Sequence, residues 1–127
     1  MKGFRNGNSS HVKVLVVDDD EAMRCVLRHV MLEHGEQVVE ATNGLEAIAV
    51  ALHELPDAVL LDWYMPVFDG PSVLPELRRI LPVARIVMLP SMGGPGERRV
   101  ARAAGADAVV DKVDGIRALL STLEAAA

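Results

Sequence analysis

Asp62 ends a short apolar run, Ala58 to Leu61, and is followed by a turn carrying Pro66 and Gly70. Two further runs end the same way: Val12 to Val17 (VKVLVV) in Asp18, Asp19 and Asp20, and Ala108 to Val110 in Asp111 and Lys112. Carboxylates crowded at strand tips repel one another unless protons or a cation intervene. A hard divalent ion such as Mg²⁺ suits them, because it takes one or two carboxylates, keeps several waters and accepts phosphate oxygens. Lys112 adds a fixed positive charge that can pair with Asp62 or with a phosphoryl oxygen. Acid, metal and lysine together describe phosphoryl transfer.

These groups meet only if the strands run parallel, and the order of elements predicts that they do. Val12–Val17 is almost continuously apolar, as a central strand covered on both faces would be. A helix over Glu21–His34 follows, with Met23, Val26, Leu27, Val30 and Met31 at helical spacing, Asp20 as its cap and Gly35 at its end. Gln37–Ala41 is a more polar strand suited to a sheet edge. The second helix, Leu45–His53, presents Leu45, Ile48, Ala49 and Leu52 on one face behind an Asn43/Glu46 capping box. After the strand Ala58–Leu61, the pattern gives a helix over Val73–Leu81 with Pro75 in its first turn, a strand over Arg85–Leu89 and a helix over Gly96–Ala104. A strand over Ala108–Val110 and a last helix from near Asp114 complete it. Strand and helix alternate five times, so the expected fold is α/β, a doubly wound five-stranded parallel sheet of flavodoxin-like order 2-1-3-4-5 with helices on both faces. The switch point then lies between the first and third strands, bordered by Asp18, Asp19 and Asp62.

The whole chain, 127 residues with 50% hydrophobic content, fits one domain over 12–127 behind a weakly ordered tail over 1–11. A net charge of −5 and 3% aromatic content argue against direct nucleic-acid binding. No apolar run is long enough for a membrane span and Met1–Ser10 lacks a signal-peptide centre, which points to the cytoplasm. Cys25 reads as a small buried hydrophobe within the first helix. Asp20 and Asp69 read as a helix cap and a turn former, and Asp57, Asp107, Asp111 and Asp114 as caps or strand-edge residues. His11, His29, His34 and His53 fall in the tail or on helices and take no part in the chemistry.

At these residues the chain resembles the receiver domain of bacterial two-component response regulators. VLVVDDDEAMR resembles that family's acidic first strand end, LLDWYMPVFDG its phosphoacceptor segment and GADAVVDK the segment leading to its lysine. The resemblance implies that Asp62 accepts a phosphoryl group from a phosphohistidine on a sensor histidine kinase or phosphotransfer protein. It implies Mg²⁺ held by Asp19, Asp62 and the backbone carbonyl of Tyr64, with Asp18 orienting metal-bound water and Lys112 contacting the phosphoryl group. Such a domain is a phosphoacceptor, not a turnover enzyme.

The chain departs from the family at its switch positions. A receiver's fourth strand usually ends in Thr or Ser, whose hydroxyl moves onto the phosphoryl oxygen; here that position is Pro90, which has neither hydroxyl nor N–H. Ser91 is next in line. Val109 stands where the family carries a switch aromatic, and Val113 follows Lys112 in place of a frequent proline. These changes imply a receiver that is phosphorylated but signals weakly or differently. Tyr64 and Met92 sit where the resemblance implies side chains that shield or admit attacking water, and their bulk implies slow loss of the phosphoryl group.

No effector sequence follows Leu123, so output is expected through a protein partner at the fourth helix, fifth strand and fifth helix, where Arg98, Arg99 and Arg102 offer an acidic partner a basic surface. A solvated face is the plainer reading of those arginines, and Val109 and Ile116 leave a homodimer open. Two other functions stay open. One is a pseudo-receiver that binds partners without regard to Asp62. The other is a small phosphatase of the haloacid dehalogenase type, with Asp18 of the Asp18-x-Asp20 pair as nucleophile.

Overall fold

The computed structural model describes residues 12–91 and 93–112. Nine elements alternate along them: β1 (Lys13–Val17), α1 (Glu21–Glu33), β2 (Gln37–Ala41), α2 (Gly44–Glu54), β3 (Ala58–Asp62), α3 (Gly70–Ile80), β4 (Arg85–Leu89), α4 (Pro95–Ala104) and β5 (Ala108–Val109). The strands form one parallel sheet in the order β2-β1-β3-β4-β5, as the alternation predicts. The tail, Met92 and the expected last helix lie outside the described residues.

Successive side chains of a strand point to opposite faces, and here the two faces build two cores. Leu15, Val17, Val59, Leu61, Ile86 and Met88 pack against α2, α3 and Ala101 of α4. Val14, Val16, Ala58, Leu60, Val87 and Leu89 pack against Leu27 and Met31 of α1. Leu60 and Leu61 are fully buried on opposite faces, so truncating either to Ala costs about 2–5 kcal/mol. The central strands therefore fix where Asp18 and Asp62 emerge.

Local signals set most boundaries. Asp20 Oδ1 accepts the Ala22 N–H at 3.0 Å, and Asn43 Oδ1 accepts that of Glu46 at 2.8 Å. Gly105, at φ 118°, closes α4 in a conformation that favours glycine.

Four expectations need correction. Cys25 is exposed, because it lies beside the stripe that Leu27 and Met31 bury; Val26, at 49% exposure, lies outside that stripe too. On α2 the buried residues are Gly44, Ala47 and Ala51, while Leu45 and Leu52 are 66% and 60% exposed. That helix turns small residues inward against the sheet and β3–α3 loop, where a Cβ on Gly44 would lie 2.9 Å from Phe68 Cδ2. Finally, α3 begins at Gly70 behind Asp69, whose Oδ1 accepts the Ser72 N–H at 3.0 Å, so Pro75 falls past the first turn. It is tolerated there because it is exposed and water can serve the carbonyl its missing N–H leaves free.

Candidate functional site

Asp18 leaves β1 with its backbone still held to the sheet, its N–H donating to the Ala41 carbonyl at 3.2 Å. Its own carbonyl accepts from Arg24 Nη1 at 2.7 Å, and Arg24 Nε pairs with Glu40 of β2 at 3.3 Å. Asp18 Oδ1 accepts the Asp20 N–H at 2.9 Å. The acid is thus fixed from both sides, at 1% exposure. Because β1 ends at Val17, Asp18 and Asp19 do not alternate across the sheet: one carboxylate oxygen from each, and one from Asp62, all lie within 4.8 Å of one another.

Asp62, 4% exposed, is the last residue of β3 and pairs in register with Leu89 at the end of β4. The loop beyond it folds back tightly, with the Gly70 N–H donating to the Trp63 carbonyl at 2.9 Å. A Cβ on Gly70 would strike the Asp62 carbonyl and sit 2.8 Å from Met88 Cε, so only glycine lets α3 start this close to the acid. Trp63 is buried beside it, and Tyr64 lies over the surface at 59% exposure with its ring 6.2 Å from that of Trp63.

Lys112 closes the group. Its Nζ lies 2.8 Å from Asp62 Oδ1 and 3.0 Å from Asp18 Oδ2. Burial by itself would lower the ammonium's pKa, but the hydrogen bonds to Asp62 and then Asp18 outweigh it, and the net direction is up. Burial pushes the Asp62 carboxyl above its ordinary range; the Lys112 hydrogen bond opposes that, and the Asp18 charge adds to it. Three acids against one lysine leave an excess of negative charge in a partly dry cleft. Oxygen-only donors at this spacing suit a hard divalent cation.

Of the switch positions, Pro90 touches the site. Pro90 follows Leu89 at the tip of β4, is buried, and accepts the Lys112 backbone N–H on its carbonyl at 2.8 Å. Ser91 is exposed in the next bend, and Val109 is buried at 7% exposure. Arg24 was not named by sequence reasoning, and Asp111, read there as a cap or strand-edge residue, has an Oδ1 that accepts the Gly93 N–H at 3.0 Å and faces Arg98 at 3.5 Å. Asp111 works through groups 13 and 18 positions away, and Arg24 through Glu40 as well as the nearby Asp18. For Arg24 the sequence signal was a cation in the first turn of the helix that follows the acids.

The family model of the response regulator receiver domain matches residues 14–124. This chain belongs to that family. The receiver is 38% identical over 100 residues to chemotaxis protein CheY of Halobacterium salinarum, covering 79% of this chain and 83% of that one. It is 37% identical over 114 residues to response regulator MprA of Mycobacterium sp. strain KMS, covering 90% of this chain but only 50% of that protein. It thus spans about half the length of MprA. Among solved structures, CheY4 of Vibrio cholerae superposes with a TM-score of 0.87 at 29% identity, over 93% of the receiver and 100% of that chain. A response regulator from Burkholderia pseudomallei, solved with a phosphorylated aspartic acid, a calcium ion and citrate, superposes with a TM-score of 0.83 at 27% identity, over 88% of the receiver and 66% of that chain. Among the described residues, no helix is long and apolar enough to cross a membrane.

Proposed function

We propose that this receiver takes a phosphoryl group onto Asp62 from a phosphohistidine of a sensor kinase or phosphotransfer protein in the cytoplasm, as a single domain over 12–127. The observation that carries the reading is Lys112, whose ammonium lies 2.8 Å from Asp62 and 3.0 Å from Asp18, groups brought together from three strand tips. The phosphorylated aspartic acid and calcium ion of the Burkholderia structure support it by likeness.

A carboxylate oxygen of Asp62 attacks phosphorus in line, forming the P–O bond as the P–N bond breaks. The electron pair goes to the imidazole nitrogen, which is left as neutral histidine once protonated. Lys112 stays charged and moves its hydrogen bonds from the carboxylate to the phosphoryl oxygens. Asp19 and Asp62 would hold Mg²⁺, joined by the Tyr64 carbonyl as the family resemblance implies, with Asp18 holding metal-bound water at the same cluster. Bound there, the ion supplies positive charge that offsets the repulsion between carboxylates and phosphoryl group. Arg24 keeps the β1 tip from turning away.

Output through the face of α4 and β5 follows from the same reading, with the lack of a donor at Pro90 altering it. That lack also favours the second reading, a pseudo-receiver. A phosphatase with Asp18 as nucleophile is disfavoured, because the receiver family model spans residues 14–124 and that reading leaves Asp62 in its DWYMP context without a role.

The test uses Trp63, next to Asp62. Mg²⁺ and then acetyl phosphate are added to wild type and Asp62→Asn while Trp63 fluorescence and intact mass are followed. A metal-dependent signal with a phosphoryl mass increment in wild type alone is expected. Metal binding without modification, even with candidate kinases, sinks the phosphoacceptor reading in favour of the pseudo-receiver.

A further inference from the structure

Asp111 is a buried acid, 9% exposed, that the transfer chemistry above leaves without a role. A carboxylate so desolvated needs partners, and its partners lie on another element. Oδ1 accepts the backbone N–H of Gly93, in the turn before α4, at 3.0 Å. The same oxygen faces Arg98 Nη2, one turn into α4, at 3.5 Å. Arg98 Nη1 donates to the Val109 carbonyl at 3.0 Å, so the guanidinium holds both the end of β5 and the acid just beyond it. The contact has little slack: a Cβ on Gly93 would lie 2.9 Å from Pro90 Cγ and 3.2 Å from Asp111 Oδ1.

We propose that Asp111 is a positioning residue that couples Lys112 to the start of α4 and carries the response to phosphorylation that Pro90, with no donor to offer, cannot carry. The proposal rests on Asp62 being the phosphoacceptor. Before transfer the Lys112 ammonium is shared by Asp62 and Asp18. Afterwards the Asp62 carboxylate has become an acyl phosphate, and the charge Lys112 must follow has moved outward onto the phosphoryl oxygens. The N–H groups of Val110 and Lys112 are held to the carbonyls of Met88 and Pro90 at 2.9 and 2.8 Å, so the backbone on either side of Asp111 is anchored and the adjustment falls on the Asp111 side chain. Asp111 then moves Gly93 and Arg98 with it. The coupling is reciprocal: a partner that fixes Arg98 also biases Lys112.

The experiment is backbone amide NMR of the full chain with Mg²⁺, before and after acetyl phosphate, with intact mass measured on the same samples. Wild type, Asp111→Ala, Asp111→Asn and Arg98→Ala are compared; the Asn variant keeps the acceptor for Gly93 and guards against misfolding of the Ala variant. All four are expected to be phosphorylated to the same extent. The phosphorylation-dependent shifts of Gly94, Glu97 and Val100 are expected to shrink about fivefold in Asp111→Ala and Arg98→Ala, and by less in Asp111→Asn. A lowered melting temperature alone does not predict that pattern. Full α4 shifts in phosphorylated Asp111→Ala and Arg98→Ala overturn the coupling while leaving the phosphoacceptor reading intact. No mass increment in wild type overturns both.

Discussion

The carbonyl of Pro90 accepts the backbone N–H of Lys112 at 2.8 Å, which makes the residue at the tip of β4 a support for the lysine though its side chain offers no donor. Any residue supplies that carbonyl. Pro90→Thr should therefore leave Lys112 in place, cost less than about 1 kcal/mol through the freer unfolded chain, and add a hydroxyl beside Asp62. Acetyl phosphate labelling within about threefold of wild type, with a larger Trp63 fluorescence change, is the expected result. A collapse of labelling would show that the ring itself is needed.

Removing Lys112 tests the charge balance. Lys112→Ala leaves Asp18 and Asp62 buried without their shared cation. Breaking a fully buried pair costs about 3–5 kcal/mol, and the 20% exposure of the Lys112 side chain brings the expectation down to about 2 kcal/mol. Urea unfolding in EDTA should show that loss, and Mg²⁺ should restore part of it by supplying charge to the same oxygens. Equal stability of wild type and variant in EDTA would contradict the account.

The pH dependence of the metal-free protein follows from Asp62. Burial holds its folded-state pKa up, against the Lys112 hydrogen bond and with the Asp18 charge. An acid shifted upward contributes stability that is fully present below its unfolded value, about 3.9, and is lost as pH rises through the folded one. Asp62→Asn escapes that loss. In EDTA the variant should melt higher than wild type at pH 7, and the gap should narrow as pH falls and Asp62 takes its proton. Saturating Mg²⁺, at about 100 times its Kd, adds about 2.7 kcal/mol to wild type and should close or reverse the gap. Melting curves at pH 5 and 7 decide it.

Val67 carries backbone strain under an exposed side chain. It is a β-branched residue at φ 73°, fully exposed in the loop between Asp62 and α3. An L side chain with a Cβ pays about 1–2 kcal/mol for that conformation. Val67→Gly should raise stability by about 1 kcal/mol and the melting temperature by about 4 °C. An unchanged or lower melting temperature would mean that the left-handed conformation costs this valine nothing.

The sheet and the acid tips were legible because each rests on a local pattern: an apolar run ending at Asp62 or Asp18, caps at Asp20 and Asn43, polarity that sends β2 to the edge. The faces of α2 were not. Periodicity weights large residues, so Leu45 and Leu52 outvoted Ala47 and Ala51, and close helix–sheet approach chose the alanines. Arg98 read as part of a solvated face and Asp111 as an edge residue because their partnership spans 13 positions and depends on how α4 returns to β5. Asp57 and Asp107 did prove to be strand-edge acceptors, taking the Lys13 and Ile86 N–H groups at 3.0 and 2.8 Å.

Arg78 gives the last prediction, at the end of the sheet opposite the acids. Its guanidinium donates to the carbonyls of Gly105, Leu81 and Ala84 at 2.9, 3.1 and 2.8 Å, and pairs with Asp107 at 2.6 Å. Asp107 in turn accepts the Ile86 N–H, so one side chain ties the end of α3, the start of β4 and the turn into β5. A planar fork can serve several carbonyls at once, and an ammonium cannot. Arg78→Ala is expected to lose about 3 kcal/mol in urea unfolding, and Arg78→Lys to recover less than half of it. Mg²⁺ affinity should hardly change, since the acids lie at the far tips of the same strands. A variant that kept its stability but lost Mg²⁺ binding would break the separation between the end of the sheet that holds the fold and the end that does the chemistry.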